Sequence, residues 1–122
     1  LAAADQSRTL AGLDAPLRIV ARYDSVHLQR RGQPAVVITG QLARILSELA
    51  LIGAPVAWEA LAAEIWPGDI ERRTLRRRWD AAMVRLRGRL REAGLRPDLV
   101  RSSGSGLVEL VTGPGDEVVD EV

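Results

Sequence analysis

One stretch constrains this chain more than any other: Glu71 to Glu92, ERRTLRRRWDAAMVRLRGRLRE. Leu75, Trp79, Ala82, Leu86 and Leu90 recur at i, i+4, i+7, i+11 and i+15, with Met83 beside them. At about 3.6 residues per turn, that spacing gathers them on one side of a helix of roughly six turns. Arg72, Arg73, Arg76, Arg77, Arg78, Arg85, Arg87, Arg89 and Arg91 decorate the remaining surface, against Glu71, Asp80 and Glu92. The fold must therefore bury one stripe of this helix and present guanidinium groups on its other sides. Such a surface suits a polyanion, and equally the solvated face of an arginine-rich protein, so the flanking sequence has to decide.

Those flanks read as short strands and helices. Leu17, Ile19 and Ala21 alternate with Arg18, Val20 and Arg22, as in a strand, and Asp24-Ser25 form a turn. Val26 to Arg30, an Arg31-Gly32-Gln33 turn and Ala35 to Ile38 make an N-terminal β-hairpin. Thr39 is placed to cap a helix through its hydroxyl. Leu42, Ile45, Leu46, Leu49 and Ile52 follow at helical spacing, and Gly53 ends that helix. Trp58, Leu61, Ala62, Ile65 and Trp66 form the apolar face of a second, shorter helix, closed by Pro67-Gly68. The arginine-rich helix comes third and stops near Gly94. Leu99 to Arg101 and Leu107 to Val111 are two β-prone runs around a Ser102-Ser103-Gly104-Ser105-Gly106 tip, a C-terminal hairpin.

The fold class is therefore α+β: an N-terminal β-hairpin, three helices, then a C-terminal hairpin. With 122 residues, 47% of them hydrophobic, the chain supports one core. Residues 1–15 read as a linker or disordered segment, 16–111 as the domain and 112–122 as an acidic tail carrying Asp116, Glu117, Asp120 and Glu121. The opening LAAADQSR is no secretory signal, and without an initiator Met the chain is expected to be a piece of a longer protein. No apolar run is long enough for a membrane helix.

Composition narrows the function classes. A formal net charge of +1 hides a strong local asymmetry, because all 17 basic residues are Arg. Guanidinium forks bind phosphates bidentately and stay charged, although a GC-rich genome would also leave a chain without Lys. There is no Cys, His27 stands alone, and no pair of carboxylates faces a glycine-rich loop. Neither a nucleophile with its base nor a metal shell can be assembled, so an enzyme is not expected, and no cofactor or metal site is.

This order of elements is that of a winged helix, and the sequence resembles the OmpR-type winged-helix effector domains of bacterial transcription regulators from about Val26 to Val111. Four stretches carry the resemblance: Ile38-Thr39 opening a helix through Leu46 and Leu49, Val56 to Leu61 running on to Ile65-Trp66-Pro67-Gly68-Asp69, Trp79 to Leu90, and Val100-Arg101-Ser102 before Gly104-Ser105-Gly106. It implies a third helix that enters a DNA major groove and a wing whose tip reaches the backbone or the minor groove. Arg85 and Arg87 match positions that contact DNA, mostly at phosphates. The expected contact set is Arg73, Arg76, Arg77, Arg78, Ala81, Val84, Arg85, Arg87 and Arg91 on the helix, with Arg101, Ser102, Ser103 and Ser105 on the wing.

The centre of the outer helix face, Ala81, Val84 and Gly88, has no group for bidentate base pairing, so the implied readout is modest, about 10²-fold against a usual ~10³–10⁷. Two readings stay open. The first is a cytoplasmic DNA-binding domain on double-stranded DNA, as monomer or homodimer, with RNA polymerase as a further partner. The second, the alternative, is a winged helix turned protein-interaction module that docks an acidic protein, with a forkhead-associated domain as its candidate neighbour in the longer protein.

Overall fold

The computed structural model describes residues 16–122, so the linker expected over residues 1–15 lies outside the described part. Among the described residues there are three helices and two small sheets packed on one core, an α+β arrangement.

Strands β1 (Leu17–Ala21), β2 (Ser25–Arg30) and β3 (Val36–Thr39) form an antiparallel meander, with Ile19 opposite Leu28 and Val26 opposite Ile38. The alternation in the sequence explains the register: Leu17, Ile19, Val26, Leu28 and Ile38 are buried, while Arg18, Gln29 and Val37 face outward. The expected hairpin of β2 and β3 is thus part of a larger sheet. At the β1–β2 turn Tyr23 takes a left-handed φ of 72°, and its N–H donates to the Oγ of the fully buried Ser47 at 3.2 Å.

The C-terminal segment departs most from expectation. Residues 112–122 are not a separate acidic tail: Glu117–Asp120 form a strand that pairs in parallel with β1, Ile19 beside Val118 and Ala21 beside Asp120. Arg18 on β1 pairs with Glu117 at 3.0 Å, and just beyond the two strands Arg22 pairs with Glu121 at 3.0 Å. The turn before it is fixed by Asp116, whose Oδ1 accepts from the Leu17 N–H (2.8 Å). Its Oδ2 accepts from the Gly113 N–H (2.8 Å) and the Arg96 guanidinium (2.6 Å). The sheet therefore has the order β3-β2-β1 followed by this last strand, which is β7 in chain order.

Under that sheet lies α1 (Gly40–Ile52), burying Ala43, Ile45, Leu46, Leu49 and Ala50. Thr39 does occupy the cap position, but its hydroxyl makes no capping bond; its extended backbone continues β3 instead. Gly53 closes the helix in the left-handed conformation (φ 66°), its N–H bonding Leu49 O.

Val56–Ala57, the start of a stretch that carries the family resemblance, are a two-residue strand β4 that joins the C-terminal hairpin. That hairpin is β5 (Val100–Ser102) and β6 (Leu107–Leu110), giving a second sheet of order β4-β6-β5. Helix α2 (Trp58–Ile65) buries Trp58, Leu61, Ala62 and Ile65, and the Trp58 N–H bonds Gly106 O at 3.0 Å, which ties it to the hairpin tip. Helix α3 (Arg72–Glu92) buries Trp79, Ala82, Met83, Leu86 and Leu90, with Leu75 half-buried, as the stripe requires. The Trp58 and Trp79 rings meet at 6.2 Å, tilted by 37°, so both indoles are core.

Candidate nucleic-acid interface

The outer side of α3 follows from the inner one. With Trp79, Met83, Leu86 and Leu90 inward, Arg73, Arg76, Arg77, Arg78, Ala81, Val84, Arg85 and Arg91 are all exposed. Their surroundings separate them into groups.

Arg72 donates two hydrogen bonds of 3.1 Å to the carboxylate of Glu59 on α2, which hold that carboxyl below its ordinary range. Arg76 pairs with Asp80 one turn on at 3.1 Å and lies over the Trp58 ring, 4.8 Å from its centroid. These guanidiniums are committed within the fold. Arg77 reaches the Thr74 hydroxyl at 3.5 Å, and Arg73, Arg78, Arg85 and Arg91 meet no carboxylate among the described residues.

This differs from Arg18, Arg22, Arg44, Arg96 and Arg101 elsewhere among the described residues, which each face an acid. It also runs against local electrostatics. The first turns of α3 hold Arg72, Arg73, Arg76, Arg77 and Arg78 and no acid in the opening turn, at the end of the helix where the macrodipole disfavours cations.

Arg77, Arg78 and Arg85 line a shallow groove of about 430 Å³ with Thr74, Ala81, Trp66 and, from the start of α1, Gln41. Sequence reasoning identified the arginines and Ala81 but missed Gln41, Thr74 and Trp66 as their neighbours. The signal for Gln41 lay in its place in the first turn of α1, which packs against α3.

Arg87 is placed differently from expectation. It is half-buried, and its guanidinium donates to Val100 O (3.4 Å) and to Ser102 Oγ (3.2 Å), fastening β5 to α3. At its position on the helix it faces the hairpin rather than the open side. Arg101 is taken up by Glu109 across the hairpin. Ser103 and Ser105 bond each other through their hydroxyls at 2.8 Å, and Ser103 Oγ also accepts from the Leu107 N–H. The tip is therefore internally bonded, and the expected hairpin contacts are weaker candidates than the free arginines of α3. Arg89, outside the expected set, donates to Val37 O at the open edge of β3 (3.3 Å).

Among the described residues no group of three or more His, Cys, Asp or Glu comes together, and no helix is long and apolar enough to cross a membrane. Comparison with protein-family models, with curated proteins and with solved structures finds no match.

Proposed function

We propose that this chain is a winged-helix DNA-binding domain of a bacterial transcription regulator, acting in the cytoplasm on duplex DNA. In this reading α3 is the recognition helix, β5–β6 the wing, and the β3-β2-β1-β7 sheet the platform behind them. The observation that carries it is the set of exposed arginines on α3 without carboxylate partners, Arg73, Arg77, Arg78 and Arg85. Phosphates along a duplex supply the missing anions, and guanidinium forks match them. Because Arg87 and Arg101 are bonded within the fold, the wing's role is to brace α3 more than to hold DNA.

A second reading has one observation in its favour. Beside α2 a groove of about 610 Å³ is lined by Trp58, Glu71, Arg72, Arg73, Arg76 and Arg77, on the flank of α3. It would suit an acidic protein segment, such as one from RNA polymerase or another partner.

A competition experiment separates the two. The full chain is bound to random-sequence duplex DNA at low salt and challenged with polyglutamate of matched charge. DNA retained against excess polyglutamate supports the DNA-binding reading. Displacement at equal charge, or no binding at all, overturns it in favour of an acidic protein partner.

A further inference from the structure

The middle of α3 carries two residues that the chain's own fold does not call for. Val84 is 72% exposed, the most exposed large hydrophobic side chain among the described residues. It is β-branched and a mediocre helix former. One turn on stands Gly88, the poorest helix former after proline. A Cβ built at Gly88 would meet nothing within 4 Å, so no neighbour within the chain requires the space it leaves. Ala81, Val84 and Gly88 fall at i, i+3 and i+7 and make one continuous track. That track is small, apolar and methyl-bearing, and the exposed Arg77 and Arg85 stand beside it.

We propose that this track is a thymine-methyl reader: Val84, with Ala81 beside it, packs on the C5-methyl of thymine in a major groove, and Gly88 lets the helix backbone approach the groove floor. The proposal rests on the DNA-binding reading above and adds the chemistry of its selectivity. On the major-groove edges of the four base pairs the thymine methyl is the one protruding apolar group; apart from the flat C5–H of cytosine, the other groups presented there are hydrogen-bond donors or acceptors. Val and Ala side chains cannot satisfy donors or acceptors, and covering them would leave those groups desolvated and unpaired. The same track therefore gains from thymine and loses at guanine and cytosine. The flanking arginines hold the helix by phosphates, which carry no sequence information of their own.

The test exploits a change of one methyl group. Affinity of the full chain is measured for a duplex of alternating adenine and thymine, and for the same duplex with deoxyuridine in place of every thymidine. Charge and hydrogen-bonding edges are the same in both. The chain should prefer the thymine duplex by about fourfold or more, the worth of one buried methyl. Val84→Ala, a change at an exposed site that leaves the helix intact, should bring the ratio close to one. Methylating cytosine at C5 in an alternating guanine–cytosine duplex should raise wild-type affinity. Gly88→Ala should make the fold more stable yet weaken binding to both duplexes, a combination that a purely structural glycine would not give. Equal affinity for the thymine and uracil duplexes overturns the methyl contact and leaves DNA binding standing. A thymine preference that survives Val84→Ala removes the assignment to Val84. Failure to bind either duplex at low salt overturns the DNA-binding reading itself.

Discussion

Asp116→Asn should be among the most damaging conservative changes in this protein, although the residue lies in a segment that looks like a solvated tail. The Asp116 side chain is 2% exposed and the Arg96 side chain 17%. Both carboxylate oxygens are occupied by donors: Leu17 N–H on one, Gly113 N–H and Arg96 on the other. An amide in this place has one acceptor oxygen and one NH₂. Whichever way it is turned, the NH₂ meets a donor, and Arg96 loses its counter-charge. Removing one partner of a buried pair costs about 3–5 kcal/mol. Arg96 is not fully buried and keeps its bond to Val111 O, so we expect about 2–3 kcal/mol. For a domain of this size that is a fall in Tm of roughly 6–15 °C.

The pH dependence gives an independent check. Burial alone would raise the Asp116 pKa, but the N–H groups of Leu17 and Gly113 and the Arg96 guanidinium outweigh it and hold the carboxyl below its ordinary value. A depressed folded-state pKa stabilises the fold fully above the unfolded-state value, and that contribution is lost as pH falls through the folded-state value. The wild type should therefore lose stability more steeply in acid than Asp116→Asn does. Urea unfolding across acid to neutral pH measures both. A loss under about 0.5 kcal/mol at neutral pH, or parallel acid limbs for the two proteins, would refute the placement of β7.

Two other outcomes follow from the packing. Trp79→Ala, at a 2%-exposed site against Trp58, should cost about 3–5 kcal/mol by calorimetry or urea unfolding, and an unchanged Tm would show the stripe of α3 misplaced. Arg85→Ala should leave stability within about 0.5 kcal/mol and reduce the salt slope of duplex binding by about one unit. Arg87→Ala should do the reverse, costing about 1 kcal/mol while leaving the slope unchanged, because its guanidinium serves Val100 and Ser102. Matching effects from the two would contradict their separate placement.

How much of this was legible beforehand depended on the range over which each feature is set. The stripe of α3 is a local period repeated over many turns, so Trp79, Ala82, Met83, Leu86 and Leu90 could be read as core from spacing alone. The same holds for α1 and for the alternation in β1 and β2. Features that depend on distant partners were not legible. Glu117 and Glu121 look solvated until Arg18 and Arg22 are brought beside them by a parallel pairing across almost the whole chain. Val56 and Ala57 make a strand too short for any period to show, defined by Val108 and Leu107 opposite. Within the site, composition could not say which arginines are already committed. Arg85 and Arg87 look equivalent in Arg-Leu-Arg, yet the helix turns one outward and the other toward β5.

The central claim, that α3 presents its uncommitted arginines to a phosphate backbone, is tested most directly by the salt dependence of duplex binding. Each phosphate neutralised contributes about −0.9 to the slope of log Kobs against log salt concentration. With Arg73, Arg77, Arg78 and Arg85 engaged, the full chain should show a slope of roughly −3 to −5 on duplex DNA. Replacing all of these arginines by Ala should bring the slope close to zero, with the melting temperature held. A slope near zero in the wild type, or one that survives the replacement, would contradict it.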